Sequence, residues 1–180
     1  LINKGYEKSL KELSKYINFR MIKIRSGKKV FDWIVPKEWE LVEAYVKNSK
    51  NKKILDVEKN NLSVTSYSQP VNKILDLKDL KKKLYSLPNL PNAIPYTTTY
   101  YKKEWGFNIS HNEKKKLKKG KFHVVINSKF KKGNLILGEK ILKGSSDKYF
   151  LLSSYLCHPS LANNELGGPL ALLGLFNKIR

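Results

Sequence analysis

The loop Cys157-His158-Pro159-Ser160-Leu161-Ala162-Asn163-Asn164-Glu165-Leu166-Gly167-Gly168-Pro169 gathers a thiol, an imidazole, two amides and a carboxylate within one short stretch. Two kinds of chemistry fit those residue types. An imidazole at the end of a strand and an oxygen donor at the start of the following helix can converge on one cation, and both donors suit zinc. A Cys157–His158 nucleophile pair is the second, but neighbours on a strand project to opposite faces, so Cys157 reads better as a small apolar residue. A purely structural reading stands beside both: His158 is held by hydrogen bonds, and Asn163 or Asn164 caps a helix that Pro169 helps to start. One His near one Glu does not decide among them by spacing alone.

The elements that must position this loop are visible on either side of it. Leu135 to Leu142 and Tyr149 to Leu156 read as near-continuous apolar strands, and Pro169 to Arg180 as a leucine-rich helix. That order, strand, strand, loop, helix, predicts α/β organisation with a buried sheet. Ligands in such sheets bind beyond the carboxyl ends of strands. At the other end of the chain, Tyr6, Leu10, Leu13 and Ile17 form the apolar stripe of an amphipathic helix. From Arg20 the period changes to two, predicting short strands at Ile22 to Ile24, Val30 to Val35, Leu41 to Lys47, Lys53 to Val57 and Leu62 to Tyr67. Asp76 is placed to cap a helix with Leu77, Leu80, Leu84 and Leu87 on one face, broken by Pro88, Pro91 and Pro95. A short helix ending at Gly120 and a strand from Phe122 to Asn127 follow. The expected domains are therefore residues 1–21 and 128–180, forming an α/β unit, and a β-rich insert over 22–127.

Composition narrows the function classes. At 180 residues and 41% hydrophobic, the chain can bury a core and is not a disordered tail. Its single Cys allows no internal disulfide, the usage of an intracellular, cytoplasmic protein. No apolar run approaches the roughly 18 residues of a membrane span. The net charge of +21 comes from 36 basic residues, of which only Arg20, Arg25 and Arg180 are Arg. Nucleic-acid readers favour the planar Arg fork, so the runs Lys81–Lys83, Lys114–Lys116 and Lys131–Lys132 read as solvated faces rather than a nucleic-acid surface. Leu1 is not an initiator Met and the terminal helical pattern lacks a stop signal, so the chain is expected to be a fragment of a longer protein.

An ordered set of motifs carries a resemblance. Lys29-Val-Phe-Asp-Trp-Ile-Val-Pro-Lys-Glu-Trp39, Ala44-Tyr45-Val46, Val64-Thr-Ser-Tyr-Ser68 with Pro70, Leu87-Pro88, Ala93-Ile-Pro-Tyr96, Tyr100-Tyr101, Trp105-Gly-Phe107 and Ser110-His-Asn112 lead to Cys157-His-Pro-Ser160, Ala162-Asn-Asn-Glu-Leu166 and Gly168-Pro169. From about residue 23 onward the chain resembles the aminopeptidase-like family of polysaccharide biosynthesis proteins. The resemblance implies an α/β fold, a zinc-exopeptidase-type α/β/α domain interrupted by a β-rich insert, with more peptidase sequence and a winged-helix end in longer members. It implies a zinc-dependent hydrolase of amide or acyl-amino bonds acting on a small-molecule or peptide-like substrate.

In that wider fold a strand-end His binds one metal and an acid before a small-residue turn bridges two, positions that map onto His158 and Asn164. Asn164 cannot supply a bridging carboxylate, Ser160 stands where an Asp usually follows the His, and Gly167 replaces a common Ser. The resemblance therefore implies one zinc rather than two, with His158 and Asn164 or Glu165 as its donors, and a fragment inactive by itself. The same departures fit an alternative, a catalytically inactive peptidase-fold binding protein. His123 is expected to be structural. Tyr100, Tyr101, Trp105 and His111 are expected to bind substrate, as part of an insert that covers the cleft and faces His158.

Overall fold

The computed structural model describes residues 2–158 and 160–179 and divides into two compact units, residues 1–38 with 131–180 and residues 39–130. Both expected boundaries of the insert differ from this division. The first strand, β1 (Arg20–Arg25), pairs antiparallel with β10 (Asn134–Glu139), Ile22 opposite Leu137 and Ile24 opposite Leu135, so it belongs with the terminal segments. Alternation alone identifies a strand but not its partner.

In the unit built from the two ends, α1 (Lys4–Leu13) starts where Asn3 Oδ1 accepts the Tyr6 N–H at 2.8 Å. Its Leu10 is buried, as are Ile2, Ile17, Val35 and Ile136. Ile17 lies beyond the helix, which stops four residues short of the predicted stripe. A hairpin of β2 (Lys29–Val30) and β3 (Trp33–Ile34) divides the single strand predicted there, its turn carrying Phe31 at φ +53°.

The segment Tyr149 to Leu156 is not a strand. Among the described residues no backbone pairs with it, and Tyr149, Phe150 and Leu151 are exposed by 87%, 100% and 80%. A near-continuous apolar run becomes a buried strand only when neighbours hydrogen bond to both of its edges. The helix after the loop, α4 (Ala162–Ile179), begins seven residues before Pro169, which therefore sits inside it and contributes no N–H to the Glu165 carbonyl. Gly168 lets α4 lie against the preceding segment: a Cβ there would fall 2.0 Å from Ser154 Oγ.

Residues 39–130 form a four-stranded sheet in the order β5 (Lys53–Asp56), β4 (Glu38–Lys47), β9 (Lys121–Lys131), β6 (Val71–Asp76). Strand β6 was not anticipated from sequence; it runs antiparallel to β9 from Val71 opposite Ile126 to Asp76 opposite Lys121. Ala44, Val46, Val124 and Ile126 alternate inward and pack with Leu80, Leu84, Phe107 and Ile109. Asp76 caps α2 (Leu77–Lys82) by accepting the Asp79 N–H at 2.9 Å, as predicted. The helix is shorter than its leucine stripe, because Leu84 leaves it for β7 (Leu84–Tyr85), parallel to β8 (Phe107–Asn108), while Leu87 is exposed. The predicted strand at Leu62 to Tyr67 is instead a 3₁₀ turn at Asn61–Ser63 followed by isolated bridges at Val64 and Ser66. The helix predicted to reach Gly120 is α3 (His111–Lys116).

Candidate functional site

The site begins with a buried carboxylate. Glu165 lies in the first turn of α4 and is only 3% exposed, its N–H bonded to the Leu161 carbonyl at 2.9 Å. One of its oxygens, Oε2, accepts the backbone N–H of Cys157. The other, Oε1, stands 2.9 Å from His158 Nδ1. A carboxylate this buried needs partners close by, and the Cys157 N–H supplies a hydrogen bond to Oε2. His158 Nδ1 and Oε1 are within ion-pair distance but do not make a hydrogen bond, so two buried polar atoms face each other there.

Asn164 is exposed on the same turn, so the structure brings together two of the three expected donors. Among the described residues no group of three or more His, Cys, Asp or Glu side chains converges on one point. Burial, followed by the charge of Glu165, pushes the Cys157 thiol up, which disfavours the thiolate that a nucleophile needs. Tyr6 is close as well; burial, then the neighbouring Cys157, raises its phenol. An apolar cavity of about 390 Å³ in the same unit is lined in part by Tyr6, Leu10, Leu156, Leu172 and Phe176.

The expected substrate-binding residues all lie in the 39–130 unit. Tyr100 and Tyr101 have ring centroids 4.4 Å apart, and Tyr101 is 76% exposed. Trp105 packs on the core and carries Lys83 Nζ 5.5 Å above its ring. His111 begins α3 with Nδ1 3.2 Å from Ser86 Oγ, just after the cap in which Ser110 Oγ accepts the Glu113 N–H at 3.2 Å. His123 Nε2 is 2.7 Å from Asn72 Oδ1 and its ring meets Tyr45 edge-on.

Two features of this unit escape a reading of residue types. Tyr67 is buried at φ +64°, stacks on Trp39 at 6.0 Å and meets Tyr100 edge-on at 5.3 Å. A buried aromatic in left-handed backbone is uncommon and must be held by its surroundings. Beside it, Asn108 is wholly buried: its amide donates to the Leu62 carbonyl at 2.8 Å and its oxygen accepts the Thr97 hydroxyl at 2.6 Å, while Thr97 and Thr65 hydroxyls are 2.8 Å apart. Gly106 permits this packing, since a Cβ would meet the Tyr85 ring at 2.5 Å. The motifs Val64 to Ser68 and Trp105 to Phe107 contain these residues, but their types carry no sign of the network.

Over 164 residues the chain is 43% identical to a Clostridium acetobutylicum protein named "Putative polysaccharide biosynthesis protein with aminopeptidase-like domain", covering 91% of this chain and 38% of that protein. The crystal structure titled as a putative peptidase from Clostridium acetobutylicum matches with a TM-score of 0.88 and 39% identity, covering 98% of this chain and 43% of that one. The chain thus spans less than half the length of either. The mixed α/β fold with small sheets is that of the peptidase structure. No helix among the described residues is long and apolar enough to cross a membrane. Residues 38–129 match the model of a domain of unknown function, DUF2172, so the chain belongs to that family and resembles the aminopeptidase-like polysaccharide biosynthesis proteins.

Proposed function

We propose that the chain is part of a zinc-exopeptidase-type hydrolase of amide or acyl-amino bonds, with His158 supplying one ligand to a single zinc ion. The observation that carries this reading is the His158–Glu165 pair, 2.9 Å apart with Glu165 buried. Imidazole ligands of zinc commonly turn their second nitrogen to a carboxylate, which fixes the tautomer and the ring and raises its basicity. On this reading a proton on Nδ1, the nitrogen 2.9 Å from Glu165 Oε1, would leave Nε2 as the lone-pair donor to the metal. Glu165 is then a positioning residue rather than a ligand, and its bond from the Cys157 N–H keeps it from swinging away.

One imidazole does not complete a zinc site. The relative is much longer than this match, and the reading places the remaining donors and the general base in its further sequence. When bound, zinc would supply a Lewis acid and a water acidified toward neutral pH. The names of the relatives support a peptidase-like activity, and the polysaccharide biosynthesis name supports a glycan-related acyl-amino substrate.

Zinc titration of the protein expressed at the relative's length tests this. His158→Ala should abolish binding, and Glu165→Gln should weaken it about 10-fold to 100-fold, as loss of such a supporting carboxylate typically does. Zinc content and amide hydrolysis that ignore both substitutions would overturn the assignment. Absence of zinc with the fold intact would turn the reading to a binding protein of peptidase shape.

A further inference from the structure

The hairpin turn between β4 and β5 and the segment between α3 and β9 meet around a cavity of about 490 Å³. Lys50, Lys116, Lys118, Lys119 and Lys121 line it, together with Asn48 and Ser49, and the only acid in its lining is Glu113. Glu113 is already engaged, with Oε1 2.6 Å from Lys116 Nζ. No ion pair engages Lys50, Lys118, Lys119 or Lys121 among the described residues. Four exposed lysines outside any ion pair among the described residues gather positive charge around one concavity, which favours an anion there.

The walls are built rather than loose. Asn48 Oδ1 accepts the backbone N–H of Lys50 at 3.0 Å and of Lys52 at 3.1 Å, and the Asn48 N–H donates to the Lys52 carbonyl at 3.0 Å. This folds the Asn48 amide back into the turn and fixes the backbone that carries Ser49 and Lys50. Opposite, a Cβ on Gly120 would come within 3.8 Å of Ser49 Oγ, so residues far apart in sequence share the rim. Ile54, Ile109, Leu117 and Phe122 form the floor, with Ile109 and Phe122 buried in the core.

We propose that this cavity is a binding site for a small molecule bearing a diphosphate, its charges held by the lysines on the rim and its less polar part over the apolar floor. Lysine serves phosphate as a point charge and needs no planar fork, and no Arg lies in this unit. The charges surround one hollow of ligand size, and no exposed aromatic lines it to stack on bases, which favours a small polyanion over a nucleic acid. The site lies wholly within residues 39–130 and is independent of the hydrolase reading.

Isothermal titration with inorganic pyrophosphate, inorganic phosphate and a short random-sequence DNA duplex tests this. Pyrophosphate should bind saturably, at one site and at least tenfold more tightly than phosphate. The pair Lys119→Ala with Lys121→Ala should weaken it tenfold or more, as should Lys50→Ala with Lys118→Ala from the two walls, both with unchanged circular dichroism. Lys28→Ala with Lys29→Ala, an equal charge loss in the other unit, should leave it unchanged. The proposal is overturned if pyrophosphate gives no saturable binding, if the Lys28/Lys29 pair matters as much as the others, or if the duplex binds more tightly and displaces pyrophosphate.

Discussion

The most apolar stretches of the two units meet opposite surroundings. In residues 39–130, Phe107, Val124 and Ile126 are at most 1% exposed and belong to one continuous core. In the unit made by the two ends, Phe150 is fully exposed and Tyr149 and Leu151 nearly so, although their sequence is as apolar as any in the chain. The lesson is about partners. A strand with one face inward is buried by the sheet beneath it, whereas an apolar run destined for both faces of a sheet has no inside until paired strands and covering helices supply one.

The largest effect should come from truncating matched aromatics on the two sides of this contrast. Phe107→Ala removes a ring with 0% exposure and should cost about 3–5 kcal/mol, whereas Phe150→Ala should stay within about 0.5 kcal/mol. Urea unfolding followed by tryptophan fluorescence reads the difference, with Trp39 and Trp105 on the core that contains Phe107 and Trp33 in the unit that contains Phe150. Equal costs would mean that Phe150 is buried in the folded protein and that the contrast fails.

A smaller effect should come from the polar part of the same core. Asn108→Ala leaves the Leu62 carbonyl and the Thr97 hydroxyl without their buried partner and should cost roughly 1–3 kcal/mol. Asn112→Ala breaks an exposed bond to Asn92 and should cost no more than about 0.5 kcal/mol by the same measurement. If the two substitutions were equivalent, the buried network would be incidental to the stability of this unit.

Legibility of the sequence followed the same division. Alternation located β1, β4, β5 and β9 because one-sided burial writes a period of two into the residues, and a near-continuous apolar run located β10. It could not say that β1 pairs with β10 across the intervening unit, and it missed β6, where Asn72, Lys73 and Ile74 are all exposed. Tyr149 to Leu156 misled in the other direction, since its composition reports an environment that the described residues do not provide. At the candidate site, the loop was visible from its residue types, but the roles within it were not. Spacing left Asn164 and Glu165 equivalent, and only the start of α4 at Ala162 separates an exposed amide from a carboxylate buried against His158. The lysine-lined cavity was hidden for a related reason: Lys50 and Lys118 to Lys121 are distant in sequence, and surface charge looks alike whether or not a fold gathers it.

The smallest expected effect is a dependence on pH that belongs to the 39–130 unit. Asp56, at the end of β5, is buried with only 8% of its side chain exposed, and Lys53 Nζ lies 2.9 Å from its carboxylate. Loss of hydration pulls its pKa up, but the bond from Lys53, the Glu58 N–H and the charges of Lys53 and Lys59 outweigh that and hold the carboxyl below its ordinary value. Unfolding releases those partners, so the unfolded chain takes up the proton at a higher pH than the folded one. The stabilisation is therefore complete above the unfolded pKa and is lost as pH falls through the folded value. Asp56→Asn should flatten the acid limb of the stability profile while lowering stability at neutral pH, because Lys53 loses its counter-charge. Urea midpoints measured from pH 7 down to pH 3 check this, and an acid limb as steep in Asp56→Asn as in the parent would assign that limb to other carboxylates, such as Asp79 beside Lys82, whose pKa is lowered by that hydrogen bond and charge.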